Sequence, residues 1–205
     1  MKIAVIGAAG MVGSEMVAEA AARGHQVHGY TRSGRSVGDT PTQSLDFNNT
    51  DAVMEVINSS EATVISVAGR DDYDAVVNAH QRLIAAAPAG RLLVVGGAGA
   101  LQAGDGLLLD SPDFPAEYLP EAKSFAQVFA DYSASNSAQW TMIAPSPEIA
   151  PGVRTGKYLI AENTPAGGFV STQDFAVAAL DEIENPAHRG ARFTVASADE
   201  TAARG

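Results

Sequence analysis

The stretch KIAVIGAAGMVGSE, Lys2 to Glu15, constrains the fold more than any other part of the chain. Ile3 to Ile6 is a short β-branched apolar run, the pattern of a strand buried on both faces. Gly7, Gly10 and Gly13 follow at three-residue spacing, and Met11, Met16, Val17 and Ala20 then recur at helical spacing. The order is strand, tight turn, helix. A helix that begins where a strand ends aims its unpaired N–H groups and the positive end of its dipole at whatever occupies that point. Glycines let the backbone turn sharply and let an anionic group approach without meeting a Cβ. The stretch therefore predicts a site for the pyrophosphate of a dinucleotide, built from Gly7, Ala9, Gly10, Met11, Val12 and Gly13. The alternative is a strand-to-helix turn with no ligand.

The rest of the chain repeats this alternation. The first helix runs to about Arg23 and stops at Gly24. Strands are expected at Gln26–Tyr30, Thr42–Phe47, Thr63–Val67, Arg91–Val95, Trp140–Ala144 and Phe193–Ala196. Thr50 or Asp51 should cap a second helix, and Asp71 and Asp72 should open a third that ends at Pro88 and Gly90. A fourth helix lies between Asp113 and about Tyr132, interrupted near Pro120. Ser171 and Asp174 read as the capping box of a fifth. Strands alternating with helices predict an α/β fold with a doubly wound parallel sheet and right-handed crossovers. The expected sheet has seven strands in the order 3-2-1-4-5-6, with the last strand at an edge. Ser197 to Gly205, small and polar, reads as frayed.

A chain of 205 residues suits one such domain, with roughly residues 145–170 as a substrate-side cap. The net charge of −11 argues against a nucleic-acid or anionic-membrane partner, because the overall field repels phosphates. There is no cysteine, so disulfides and thiolate metal sites are excluded. His25, His28, His80 and His188 show no metal spacing. Glu117, Glu121 and the acids of the fifth helix read as solvated faces. No stretch has the length and apolarity of a membrane span, no secretory signal is apparent, and the cytoplasm is the default location. The sequence carries no clear sign of an oligomer.

The end of the second strand bears on cofactor choice. An Asp or Glu there would accept hydrogen bonds from a ribose 2′-hydroxyl. This chain has Tyr30, Thr31 and Arg32, with Arg35 close behind and no acid before Asp39. A guanidinium matches a 2′-phosphate in charge and geometry, so the reading is NADP(H) over NAD(H). Arg32 otherwise reads as a solvated loop arginine. The small residues after the fourth and fifth strands, Val67-Ala68-Gly69 and Gly96-Gly97, let a cofactor pass over the backbone.

The G-x-x-G-x-x-G spacing resembles the extended and atypical branches of the short-chain dehydrogenase superfamily. RLLVVGGAGAL, DSPDFPAEYLPEAK, APSPEIAPGVRTGKY and RFTVA then follow in order. Together they resemble the small atypical reductases called NAD(P)H-binding or NADH-flavin-reductase-like proteins, related to the biliverdin reductase B and NmrA-like groups. The resemblance spans nearly the whole chain. It implies a Rossmann fold, an adenine contact from Asp46 and Phe47, and a nicotinamide contact from Pro145. Asp46 reads equally as a helix N-terminal acid, and Pro145 as a strand terminator.

Classical members of the superfamily move a proton with a Tyr and a Lys four residues later. Here Tyr118 is followed at that spacing by Ala122, with Lys123 one further, and Tyr132 by Asn136. Four residues stack two side chains on one helix face and five turn the second away, so the relay is absent. A serine expected after the fifth strand is replaced by Gly97-Ala98. What remains is a reductase that places a flavin- or quinone-like acceptor over the nicotinamide, since such acceptors take hydride readily and draw a proton from solvent. The alternatives are a non-catalytic dinucleotide sensor, as in NmrA-like relatives, and epimerase chemistry. Tyr118 is the candidate proton donor, and Tyr158 and Lys157 are further substrate-side candidates. A tyrosine packed at a helix hinge is the competing reading for Tyr118.

Overall fold

A computed structural model describes residues 1–69, 72–135 and 139–205. Asp71 and Asn136, both named above, lie outside the described residues. In chain order the elements are β1 (Lys2–Ile6), α1 (Met11–Ala22), β2 (Gln26–Thr31), β3 (Thr42–Ser44), α2 (Thr50–Asn58), β4 (Ala62–Ile65), α3 (Tyr73–Ala86) and β5 (Arg91–Val95). A small hairpin, β6 (Gln102–Ala103) and β7 (Gly106–Leu107), comes next, followed by α4 (Leu119–Ala134), β8 (Gln139–Pro145), β9 (Glu148–Ala150) and β10 (Tyr158–Ala161). The last elements are β11 (Phe169–Ser171), α5 (Thr172–Glu184), β12 (Arg192–Ser197) and α6 (Glu200–Arg204).

The main sheet has eight strands in the order β10-β12-β8-β5-β4-β1-β2-β3. From β3 through β8 this is the expected doubly wound order, all parallel. The far end differs. β12 is an inner strand, and the edge is β10, which runs antiparallel to it. The segment gave no strand alternation to read, because an edge strand this short leaves Leu159 and Ile160 both half exposed.

α1 and α5 cover one face of the sheet, where Ile3, Val5, Met16, Phe175 and Val195 share a core. α2, α3 and α4 cover the other, around Ile6, Ile57, Leu83, Tyr132 and Trp140. Met11 does not join the α1 stripe and is exposed beside the glycine turn. Buried His80 meets Phe47 and Tyr132 edge-on in the second core, and its Nδ1 lies 3.2 Å from the Tyr132 hydroxyl. Burial lowers the His80 pKa to about 3.

Local signals resolve as follows. Asn49, rather than Thr50 or Asp51, caps α2 by accepting from the Ala52 N–H. Asp72 caps α3. Pro120 does not interrupt α4 but sits in its first turn, where its missing N–H costs nothing, and Ala116–Tyr118 forms a separate 3₁₀ turn. The carboxyl terminus is not frayed. Asp199 caps α6, Ala203 is buried, and its carbonyl accepts from Val153 N at 2.8 Å.

The segment between β8 and α5 is stitched to the sheet rather than standing apart. β9 and β11 pair as a parallel ribbon. Asp174, fully buried in the first turn of α5, holds the rest. Its carboxylate accepts from Thr155 N, Gly156 N, Thr155 Oγ1 and Ser197 Oγ, all within 2.9 Å. Ser171 Oγ does accept from Asp174 N, so the expected box is half formed: the Asp174 side chain turns to the loop and β12 instead of back to the cap.

Candidate cofactor site

The predicted cofactor residues converge because each follows a parallel strand and the strand ends align. Tyr30 and Ile65 flank Ile6, and Val94 lies beside Ile65. Gly7 to Gly13 leave β1, Thr31 to Arg35 close β2, and Asp46 and Phe47 follow β3. Val67 to Gly69 follow β4, Gly96 and Gly97 follow β5, and Pro145 ends β8.

The glycine turn is wedged between its neighbours. Gly7 N and Ala8 N both donate to the Tyr30 carbonyl, at 2.9 and 3.1 Å. Gly7 has a φ of +86°, and a Cβ on it would lie 2.0 Å from the Ser66 carbonyl oxygen. Gly10 is the N-cap of α1, with no side-chain cap and no acid in the first turn. The leading N–H groups of Met11, Val12 and Gly13 therefore lack intrahelical acceptors, which is the arrangement that holds a phosphate. This backbone, without a Cβ at Gly7, Gly10 and Gly13 and with an uncapped helix start, fits the diphosphate of a nicotinamide dinucleotide.

At the end of β2, Arg32 and Arg35 are exposed and no carboxylate stands between them. The Thr31 carbonyl accepts from Gly34 N and Leu45 N, while its buried Oγ1 has no partner among the described residues. Asp46 folds back on the chain, with one carboxylate oxygen accepting from Asn48 N at 2.9 Å. Phe47 is buried against His80, in the core rather than at a surface.

Tyr118 closes the 3₁₀ turn before α4 and is 57% exposed. The first turns of α4 pack onto the loop after β5, with Ala122 against Gly99 and Phe125 against Gly97. That brings Tyr118 to the same end of the sheet as Gly96 and Gly97.

Tyr158 is committed elsewhere. Its hydroxyl donates to Asp181 at 2.7 Å, and burial together with that carboxylate raises its pKa. The acids of α5 are not a solvated face. Asp181 and Glu184 both pair with Arg23, and buried Glu182 pairs with Arg91 and His188. Glu19 accepts from Arg154 and from Arg23, which holds its carboxyl at about 2, well below the ordinary 4.5, despite burial. The Arg154–Glu19 pair fastens the segment after β9 to α1, and Arg23 ties the end of α1 to α5. His25 is taken by Glu184, and no group of metal ligands forms among the described residues. Among those residues, no helix is long and apolar enough to cross a membrane.

Residues 7–186 match a family described as NAD(P)H-binding. The uncharacterized protein YwnB of Bacillus subtilis (strain 168) is 36% identical over 213 residues, covering 98% of this chain and 100% of its own. A solved Streptococcus pneumoniae TIGR4 structure, provisionally named an NADH-flavin reductase, is 29% identical with a TM-score of 0.83 over 96% of this chain and 99% of its own. A Bacteroides thetaiotaomicron structure, provisionally named an epimerase, is also 29% identical, with a TM-score of 0.87 over 97% of both chains. With its glycine cradle and an eight-stranded Rossmann-type sheet, the chain belongs to the NAD(P)H-binding family.

Proposed function

We propose that the protein is an NADPH-dependent reductase that delivers hydride to a flavin- or quinone-like small molecule. The observation that carries this reading is the pairing of an uncapped glycine cradle with Arg32 and Arg35 at the position where a carboxylate would select NAD(H). Bound there, the dihydronicotinamide would supply the hydride. The chain's own part is to hold the diphosphate on the N–H groups of α1, to meet the 2′-phosphate with Arg32, and to direct the nicotinamide toward the carboxyl end of β8, where Pro145 stands. Tyr118, exposed before α4, is the candidate proton donor, without a lysine partner. The relative named for flavin reduction supports the acceptor class. The absence of a Tyr-Lys pair argues against the chemistry that an epimerase of the extended branch would need.

The test is a titration with NADPH and with NADH, followed by addition of FMN, FAD or a soluble quinone while the nicotinamide absorbance is followed. Tighter binding of NADPH and acceptor-dependent oxidation are expected. Tight binding with no oxidation by any acceptor would identify a dinucleotide sensor instead.

A further inference from the structure

A second site lies away from the cofactor cradle, around Arg192. This arginine opens the buried strand β12 and is 5% exposed on the face covered by α4. Its guanidinium lies over the Phe129 ring, 3.8 Å from the centroid. One terminal nitrogen donates to the Ala100 carbonyl and the other to Asn163 Oδ1, both at 3.0 Å. Nε has no hydrogen-bond partner, and no carboxylate forms an ion pair with Arg192 among the described residues. Desolvation lowers its pKa to about 10. The other buried arginine at a strand start, Arg91, has Glu182 at 2.8 Å. In a chain of 24 acidic residues, the cation at Arg192 is held by neutral oxygens and an aromatic ring alone. A buried charge without a counterion is costly to keep, and an anion from outside would offset that cost.

Arg192 is also among the lining residues of two adjoining open clefts of about 520 and 410 Å³, which share Phe129, Ser133, Asn163 and Arg192. The larger is walled by Leu107, Ala126 and Ala130, and Gln102 adds an amide. The smaller reaches Trp140, with Glu162 on its wall. Both are in the range that holds a small organic ligand. The smaller one faces the amino half of the sheet, while Ala100, Gln102 and Leu107 of the larger one belong to the segment that leaves β5. Arg192 pairs with Met142 midway along β8, Trp140 is near the start of that strand, and Ser133 is in the last turn of α4. The glycine cradle is at the carboxyl ends.

We propose that this double cleft binds an amphipathic organic anion, with its acidic group on Arg192 and its apolar body in the larger cleft. Glu162 disfavours the acidic group in the smaller one. The amides of Gln102 and Asn163 are the further donors within reach, and the apolar walls select against inorganic anions. The inference does not depend on the reductase reading.

The test uses 8-anilinonaphthalene-1-sulfonate, an aromatic body bearing one sulfonate. Trp140 is the chain's single tryptophan and lines the smaller cleft, so energy transfer from it detects bound dye, and the variants below assign that dye to this cleft. The measurement is made with the cofactor site saturated by NADP⁺, whose oxidised nicotinamide neither accepts tryptophan emission nor fluoresces. Saturable transfer that weakens with salt is expected. Arg192→Met should weaken dye binding roughly tenfold or more while leaving NADPH affinity unchanged. Arg192→Lys, which keeps the charge without the fork, should fall between. Ala130→Phe fills the larger cleft without touching the charge and should also abolish transfer, so the proposal remains testable if the Arg192 variants fail to fold. Unchanged dye binding in Arg192→Met, or no saturable transfer in the wild-type protein, would overturn the site and leave Arg192 a structural cation.

Discussion

The carbonyl oxygen of Gly7 occupies the space that a Cβ on Gly13 would need: the two would lie 2.2 Å apart. The start of α1 is pressed onto the end of β1 by that contact, and the cradle's shape depends on it. Gly13→Ala should cost about 1–3 kcal/mol of stability through overpacking and weaken NADPH binding in the same variant. Gly10→Ala, whose nearest neighbour would be 3.2 Å away, should be milder in stability. Thermal melts with and without NADPH check both.

Arg32→Ala should cost NADPH about ten- to a hundredfold in affinity, the worth of one charge-assisted contact, and leave NADH nearly unchanged. Binding titrations with the two cofactors read this directly. Equal losses for both would remove Arg32 from the 2′-phosphate.

Tyr118→Phe should lower kcat at least tenfold with little change in KM, since a positioned general acid contributes about 10²–10⁴-fold. Steady-state rates with a quinone acceptor measure it. Full retention of turnover would assign the proton to solvent.

Two buried groups set the acid limb of stability. His80 stays neutral in the folded protein down to about pH 3, whereas an unfolded histidine takes up a proton near 6.5. The unfolded state therefore binds more protons in that window, and stability present above pH 6.5 is lost as pH falls toward 3. Glu19, held at about 2 chiefly by Arg154, contributes stability above pH 4.5 that is lost between 4.5 and 2. Its share is reduced by solvent screening, because the Arg154 side chain is 53% exposed. Melting temperatures from pH 7 to 3 should fall less steeply for His80→Gln below 6.5 than for the wild-type protein, while Glu19→Gln should differ in slope only below about 4.5.

Asp174→Asn should cost about 2–4 kcal/mol, because the amide can replace only part of a carboxylate that accepts four hydrogen bonds in the core. For a chain of this size, each kcal/mol lowers the melting temperature by about 2–4 °C. Calorimetry checks it.

The cradle was legible in the sequence because its constraint is local. A turn that needs positive φ and no Cβ leaves glycines at fixed offsets, and Gly7 and Gly13 stand where such a turn requires them. The strand order through β8 was legible for the same reason, from alternation and crossover handedness. Asp174 was legible only in part. Its backbone contact with Ser171 is a local spacing, but its carboxylate serves Thr155 and Ser197, and no window of sequence holds all three. β10 was missed because an edge strand buries little and shows no period. Arg192 stands in the sequence as the first residue of RFTVA, with nothing nearby in the chain to mark its surroundings. The available signal was an arginine opening an apolar strand, a residue that cannot be buried there without something to meet it.

β12 lies inside the sheet, between β8 and β10, yet it follows both of them in the chain. Until residues 192–197 have been synthesised, a nascent chain that has already paired β1 to β8 presents β8, apolar and unpaired, as an open edge. That partial sheet is the stage at which chaperone capture and aggregation compete with folding. Arrival of β12 ends it by closing the gap, bringing Ser197 to Asp174 and Arg192 to Phe129 in one insertion.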